Sequence, residues 1–356
     1  MKILIIKFRN IGDVLLTTPL IDNLRHHYPD AVIDFALNSG TEAMITDNPN
    51  VRKIHIYDRN AKKFGLFKRI VTELKFINAI KKEKYDIAIQ TTTGDRGIII
   101  AKYAKIKTIV GFCGKNKTIN KFITHKVPKI DGLTHIVDRN LATLNALNLA
   151  IISKKVSIFF NQNLAPNLPP KFIHFHLTSR WMFKCVKDEV MANLIDFCEN
   201  ELKIKVAITA DKNEAEMKKV ADVLGLCKSN PLNLAGVLSL KEVAALNKKA
   251  TIFVGVDTAI MHISAANDVP VIAFFGPSGA FEWGPWDNSL VQSGYIKRNG
   301  NQQMGKHSVF QKDWECVPCE MDGCNSSKTS RCLMEFNNVD EIKSKIKEKI
   351  NEYTSH

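Results

Sequence analysis

The chain has 356 residues, 45% of them hydrophobic and 24% charged, which excludes a disordered, collagen-like or membrane-spanning protein and leaves a globular one. At roughly 100–200 residues per domain the length predicts two domains. Lys and Arg number 50 against 36 Asp and Glu, and the net charge of +14 predicts attraction to phosphates, whether on nucleic acid, an anionic membrane face or a small molecule.

The first element is a continuous apolar strand, Lys2 to Lys7, turning through Ile11-Gly12 into a helical spacing that runs from Asp13 to about His27. Strands are then predicted at 31–37, 51–57, 85–91 and 108–111, with helices at 66–82 and 97–105 between them. Residues 161–170 (NQNLAPNLPP) carry three prolines and read as a linker. A second series follows, with strands at 172–177, 205–209, 250–256 and 270–275 and helices at 187–202, 214–224, 240–248 and 258–267. After Gly294 the pattern is irregular until a Lys/Glu-rich helix at 339–353. Strands alternating with helices predict parallel sheets covered on both faces. The apolar run at the start is too short for a signal-peptide core, and no stretch reaches the ~20 apolar residues of a spanning helix, so a cytoplasmic protein is expected.

In such sheets ligands bind beyond the carboxyl ends of the strands, and anions sit at helix N-termini. Three turns have that form. In Ile11-Gly12-Asp13 the carboxylate serves either as a helix cap or as a general base. In Val254-Gly255-Val256-Asp257-Thr258-Ala259, followed by His262, small residues and a helix start suit a phosphate; a His at the spacing of His262 is more often a packed polar residue than a ligand contact. Thr178-Ser179-Arg180-Trp181-Met182-Phe183-Lys184 brings hydroxyls and cations to a strand end.

Other patterns carry less. There is no G-x-G-x-x-G, which removes the main support for a dinucleotide enzyme. Residues 300–306 resemble a phosphate loop, but His307 replaces the required Ser or Thr, and a surface loop is expected. His174 and His176 share a strand face without further ligands and read as structural. Cys316, Cys319, Cys324 and Cys332 cluster in one segment, sufficient for a tetrahedral structural zinc or iron, with free or paired thiols as the alternative.

The segments Lys2–Leu20 and Gly255–His262 together resemble the family 9 glycosyltransferases, the ADP-heptose heptosyltransferases of bacterial lipopolysaccharide synthesis. Thr178–Cys185, Phe274-Phe275-Gly276-Pro277-Ser278 and Trp283-Gly284-Pro285-Trp286 are most similar to the heptosyltransferase III branch. The resemblance implies a GT-B fold, two Rossmann-like doubly wound parallel-sheet domains facing across a cleft. It implies an acceptor domain at 1–165, an ADP-heptose domain at 166–336 that includes the cysteine segment, and a C-terminal helix at 337–356. It also implies inverting transfer of L-glycero-D-manno-heptose from ADP-heptose to the lipopolysaccharide inner core in a Gram-negative cell, with no cofactor needed for catalysis. Asp13 matches the family's base, and Thr178, Ser179, Lys184, Asp257, Thr258, Ala259 and His262 match its donor contacts. Related autotransporter heptosyltransferases carry a four-cysteine iron site. Arg59, Lys62, Lys63 and Arg96 lie where the resemblance sets the acceptor, and the positive charge suits a phosphorylated acceptor and peripheral contact with the inner membrane. The partners expected are thus donor, acceptor and membrane, without nucleic acid. Two alternatives stay open: a GT-B transferase using another nucleotide sugar, and a basic RNA-binding protein with a cysteine knuckle.

Overall fold

A computed structural model describes residues 1–63 and 65–354, with Lys62 and Thr354 described by backbone alone. The chain divides into two compact units, Met1–Phe159 and Phe160–His356. In the first, strands β1 (Lys2–Lys7), β2 (Val32–Asn38), β3 (Lys53–Tyr57), β4 (Ile87–Gln90), β5 (Thr108–Phe112) and β6 (His125–Val127) form one sheet, all pairs parallel, in the order β3-β2-β1-β4-β5-β6. Ile3, Leu4, Ile5 and Ile6 of β1 are buried on both faces, which is why this central strand is apolar without alternation.

In the second unit, β7 (Phe172–His176), β8 (Lys205–Thr209), β9 (Leu232–Asn233), β10 (Ile252–Val256), β11 (Val271–Phe275), β12 (Gln302–Met304) and β13 (His307–Gln311) form a seven-stranded sheet ordered β12-β13-β11-β10-β7-β8-β9. Among the described residues only the β12–β13 pair is antiparallel. Apart from the β12–β13 edge, each sheet reverses its strand order at one place, between β1 and β4 or between β7 and β10. These are the topological switch points at which doubly wound sheets bind ligands.

Three expectations need correcting. The helix predicted from Asp13 to His27 is two helices, α1 (Ile11–Leu15) and α2 (Thr18–His27). Pro19, in the first turn of α2, has no N–H to continue the earlier ladder, and the Thr18 hydroxyl donates instead to the Leu15 carbonyl at 2.8 Å. The helix predicted over 187–202 is α-helical only for Asp188–Asp196 and passes into a π-turn at Phe197–Glu201. The stretch 300–306 is a hairpin rather than a surface loop. It turns at Gly305, whose φ is +54°, into β13, which is wholly buried and parallel to β11. His307, Ser308 and Gln311 hide this strand from a hydropathy reading. The terminal helix expected at 339–353 is Val339–Thr354, and its Ile342, Ile346 and Ile350 belong to the core of the second unit.

The helix Leu66–Glu83, α3, buries Phe76 and Ile80 against the first sheet's core and exposes its other side. No helix among the described residues is long and apolar enough to cross a membrane.

Candidate active site

In the first unit the chain leaves the carboxyl end of β1 and enters α1 within three residues. Asn10 is the N-cap of α1, so Asp13 stands at the third helical position, not at the cap. Its Oδ2 accepts a hydrogen bond from the Asn10 backbone N–H at 3.3 Å, the returning half of a capping box. Two side chains fasten this turn. The Arg59 guanidinium donates to the Arg9 carbonyl at 2.9 Å and to Asn10 Oδ1 at 3.1 Å. Beneath it, the buried Lys7 ammonium donates to the Thr91 carbonyl at 3.3 Å and to Asn140 Oδ1 at 3.0 Å, and Asn140 in turn donates to the Leu16 carbonyl at 2.8 Å. Asp13 is half-buried, its carboxylate on a turn held from both sides.

Arg96 has a different environment from the one expected of an acceptor contact. Its guanidinium donates to Glu73 at 2.7 Å and stacks 3.3 Å above the Tyr57 ring, and the Tyr57 hydroxyl also donates to Glu73 at 2.7 Å. The arginine is thereby a packing cation of the first unit. Lys63 is exposed, and the Lys62 side chain lies outside the described residues.

In the second unit Gly255 allows β10 to lie close against β7, since a Cβ there would come 2.7 Å from the His176 carbonyl oxygen. The turn after β10 carries Asp257 and Thr258, and Thr258 is the N-cap of the helix Ala259–Ala266. Lys184, after β7, donates to Asp257 Oδ2 at 2.5 Å. Burial alone would raise the Asp257 carboxyl, but Lys184, helped by His262 and a hydrogen bond from Ser278, outweighs it and holds the group below the usual carboxylate range. The Thr258 hydroxyl oxygen is buried, and no hydrogen-bond partner for it occurs among the described residues. Ala259 opens the helix and His262 is buried one turn on.

Thr178 and Ser179 are buried and already engaged. The Thr178 hydroxyl donates to Glu216 Oε2 at 2.6 Å, and Ser179 Oγ accepts from the Trp181 backbone N–H at 3.1 Å. Glu216 was not among the site residues expected from the sequence. Buried at 3% exposure, it also accepts from the Asp211 backbone at 3.2 Å and from Asn213 Nδ2 at 2.7 Å. The Asn213-x-x-Glu216 spacing, a helix-start signature, was the signal that could have found it.

A buried relay behind β7 fixes one more group. Asn267 Nδ2 donates to the Ala244 carbonyl at 2.9 Å, so it is also the donor toward Asn247 Oδ1 at 3.2 Å. Asn247 Nδ2 then donates to His174 Nδ1 at 3.0 Å, which leaves the His174 proton on Nε2, directed at Thr209 Oγ1 2.7 Å away. The Thr209 hydroxyl therefore donates to His176 Nδ1 at 2.9 Å, and His176 keeps its own proton on Nε2. Burial lowers both imidazoles, His176 to about 4 against the opposing influence of Glu216. These histidines are held neutral in single tautomers.

The sequence pattern of glycosyltransferase family 9 (heptosyltransferase) matches residues 73–313. The chain belongs to this family. Among curated relatives of the family, lipopolysaccharide heptosyltransferase 3 of Escherichia coli K12 is 29% identical over 295 residues, 79% of this chain and 84% of that one. The crystal structure of a family 9 glycosyltransferase from Veillonella parvula superposes with a TM-score of 0.78 at 18% identity, covering 99% of this chain and 97% of the other. E. coli heptosyltransferase WaaC with ADP gives 0.73 at 16%, covering 98% and 100%. The GT-B fold follows from these likenesses and from the two doubly wound sheets. Family 9 membership makes the protein a glycosyltransferase and sets aside the RNA-binding alternative.

The cysteine segment does not present a finished metal site. Cys316 and Cys319 are exposed, Cys324 is half-buried and Cys332 buried, and among the described residues no three His, Cys, Asp or Glu are disposed to hold an ion. Burial first, then Cys324, Cys319 and Cys316, push the Cys332 thiol up to about 12, and Cys324 Sγ accepts from the Arg331 N–H at 3.4 Å.

Proposed function

We propose that the protein transfers L-glycero-D-manno-heptose from ADP-heptose, with inversion, to a sugar of the lipopolysaccharide inner core. The observation that carries this reading is the Lys184–Asp257 pair beside the buried Thr258 hydroxyl, at the start of the Ala259–Ala266 helix and the carboxyl end of β10. Such a group offers a cation, a hydroxyl and unpaired backbone N–H donors to a diphosphate. The similarity to lipopolysaccharide heptosyltransferase 3 supports the sugar and the acceptor.

In this reading Asp13 takes the proton of the acceptor hydroxyl as the glycosidic bond to ADP breaks on the opposite face of an oxocarbenium-like sugar. Negative charge grows on the leaving diphosphate, where Lys184, Thr258, Ala259 and His262 receive it; this supplies the stabilisation for which other transferases use a metal. Thr178 and Ser179 order the donor turn, with Thr178 acting through Glu216. Arg59 holds the Asp13 turn, while Lys62 and Lys63 supply charge toward a phosphorylated acceptor; Arg96 contributes through packing. The work is done at the cytoplasmic face of the inner membrane of a Gram-negative cell, in peripheral contact with the bilayer.

A structural zinc or iron at Cys316, Cys319, Cys324 and Cys332 forms a separate part of the proposal. It requires the four thiolates to close to about 2.3 Å from the ion, and the mutual influence of the sulfurs supports it.

Thermal shift with ADP, UDP and GDP, followed by transfer assays with ADP-heptose and defined truncated cores, tests the function. A nucleotide at a hundred times its Kd stabilises by about 2.7 kcal/mol. ADP alone is expected to raise the melting temperature. An equal shift with UDP or GDP would assign the protein another nucleotide sugar.

A further inference from the structure

Isolated apolar side chains on a protein surface are ordinary, but α3 presents a group of them. Leu66 is 75% exposed, Phe67 82%, Ile70 48% and Leu74 54%. At about 100° per residue these four fall within roughly 100° of the helix circumference. Phe76 and Ile80, which enter the core, lie about 40–80° beyond Leu66 on the side away from Leu74, so the exposed group adjoins the packed face and carries the apolar surface on past it.

Cations border it. Lys68, Lys75 and Lys82 are all exposed and recur every seven residues, which draws a line of ammonium groups along one edge of the apolar strip. Lys63 and Arg69 flank its beginning, and Lys53, Lys75, Lys81 and Lys82 line a groove toward its end. The only acidic residues on α3 are turned inward to partners: Glu73 to Tyr57 and Arg96, Glu83 to Arg52 and Lys53. The charged side chains of α3 that remain outward are all positive.

We propose that α3 is the element by which this protein docks on an anionic lipid bilayer, its Leu66, Phe67, Ile70 and Leu74 entering the acyl boundary and its lysines meeting the phosphate headgroups. The inference rests on the membrane-facing part of the proposed function and assigns it to a particular surface. An apolar strip with lysines beside it fits an interface that is hydrocarbon below and anionic above. A protein partner of acidic surface would match the lysines but leave bulky, widely exposed Phe67 and Leu66 without a reason.

The test is flotation of the full chain with vesicles of phosphatidylglycerol and phosphatidylcholine, or of phosphatidylcholine alone, free of lipopolysaccharide. Binding is expected to the anionic vesicles, to weaken as salt is raised, and to be at least tenfold weaker on neutral ones. Phe67→Ser with Ile70→Asn, and separately Lys68→Glu with Lys75→Glu and Lys82→Glu, should each lower the bound fraction about tenfold or more, with unchanged circular dichroism. Transfer to a soluble, lipid-free core acceptor is measured alongside and should stay within twofold. Equal binding to both vesicle types, binding insensitive to either variant, or a dimer dispersed by Phe67→Ser would each overturn the proposal. A loss of transfer to the soluble acceptor would assign the face to the acceptor instead. Failure of wild-type transfer itself would count against the proposed reaction and not against the docking surface.

Discussion

Asp13 holds two positions at once, and the two make different predictions. As the third residue of α1 it receives the Asn10 N–H, a capping contact whose loss costs about 1 kcal/mol. As a base it must be an anion. Asp13→Asn keeps an oxygen for the Asn10 N–H and removes only the charge, so it separates the roles. We expect transfer to fall by at least ~10²-fold, the lower range for a positioned proton acceptor, with ADP affinity and melting temperature unchanged. Near-normal turnover would leave Asp13 as a cap alone. Sequence spacing gave the residue but not this ambiguity's resolution, because a carboxylate at a helix entrance has the same local pattern in either role. The partners of Thr178 were less legible still. Its hydroxyl proton goes to Glu216, thirty-eight residues away, and no local pattern joins a strand end to the first turn of a later helix.

At the scale of elements, the parts of the fold that were legible are those in which local and tertiary demands agree. β1, β10 and β11 are buried on both faces and read as apolar runs, and in β7 Phe172, Ile173 and Phe175 keep the strand legible despite two buried histidines. The turns after β1, β7 and β10 could therefore be located, and with them the candidate site. β13 was not, because its burial is achieved with His307, Ser308 and Gln311, whose polar side chains disguise a buried strand. The cysteine segment is the opposite case, a pattern clear in the sequence whose arrangement does not complete it. Closing four sulfurs around an ion deprotonates them, and Cys332, now held as a thiol, would have to surrender its proton. Metal analysis of protein purified without a histidine tag should find zinc or iron near one equivalent. Less than about 0.2 equivalents would leave a segment of free thiols.

At the scale of the whole chain, the same strand order is used twice: β3-β2-β1-β4-β5 in the first unit recurs as β9-β8-β7-β10-β11 in the second. Each unit has a polar interior of its own, and it includes neutral histidines. His55, His174, His176 and His307 are all lowered from the ordinary value, in each case chiefly by burial, with His176 at about 4 and His307 at about 3. An unfolded histidine takes up its proton near 6.5. Between that value and the folded ones the unfolded chain binds more protons, so stability must decline as pH falls, by about 1.4 kcal/mol per pH unit for each histidine that stays neutral. The depressed carboxylates Asp196, Asp257 and Asp287 contribute stability above the ordinary carboxylate range and lose it only as pH falls through their lower folded values. The decline therefore begins near pH 6.5 and is histidine-driven until about pH 4. Urea midpoints taken from pH 7.5 to 4.5 should be level at the upper end and fall below 6.5, and His307→Gln should flatten the slope by one histidine's share. A midpoint constant down to pH 5 would mean that these imidazoles accept protons in the folded protein, and the relay through Thr209 could not then hold His176 in a single tautomer.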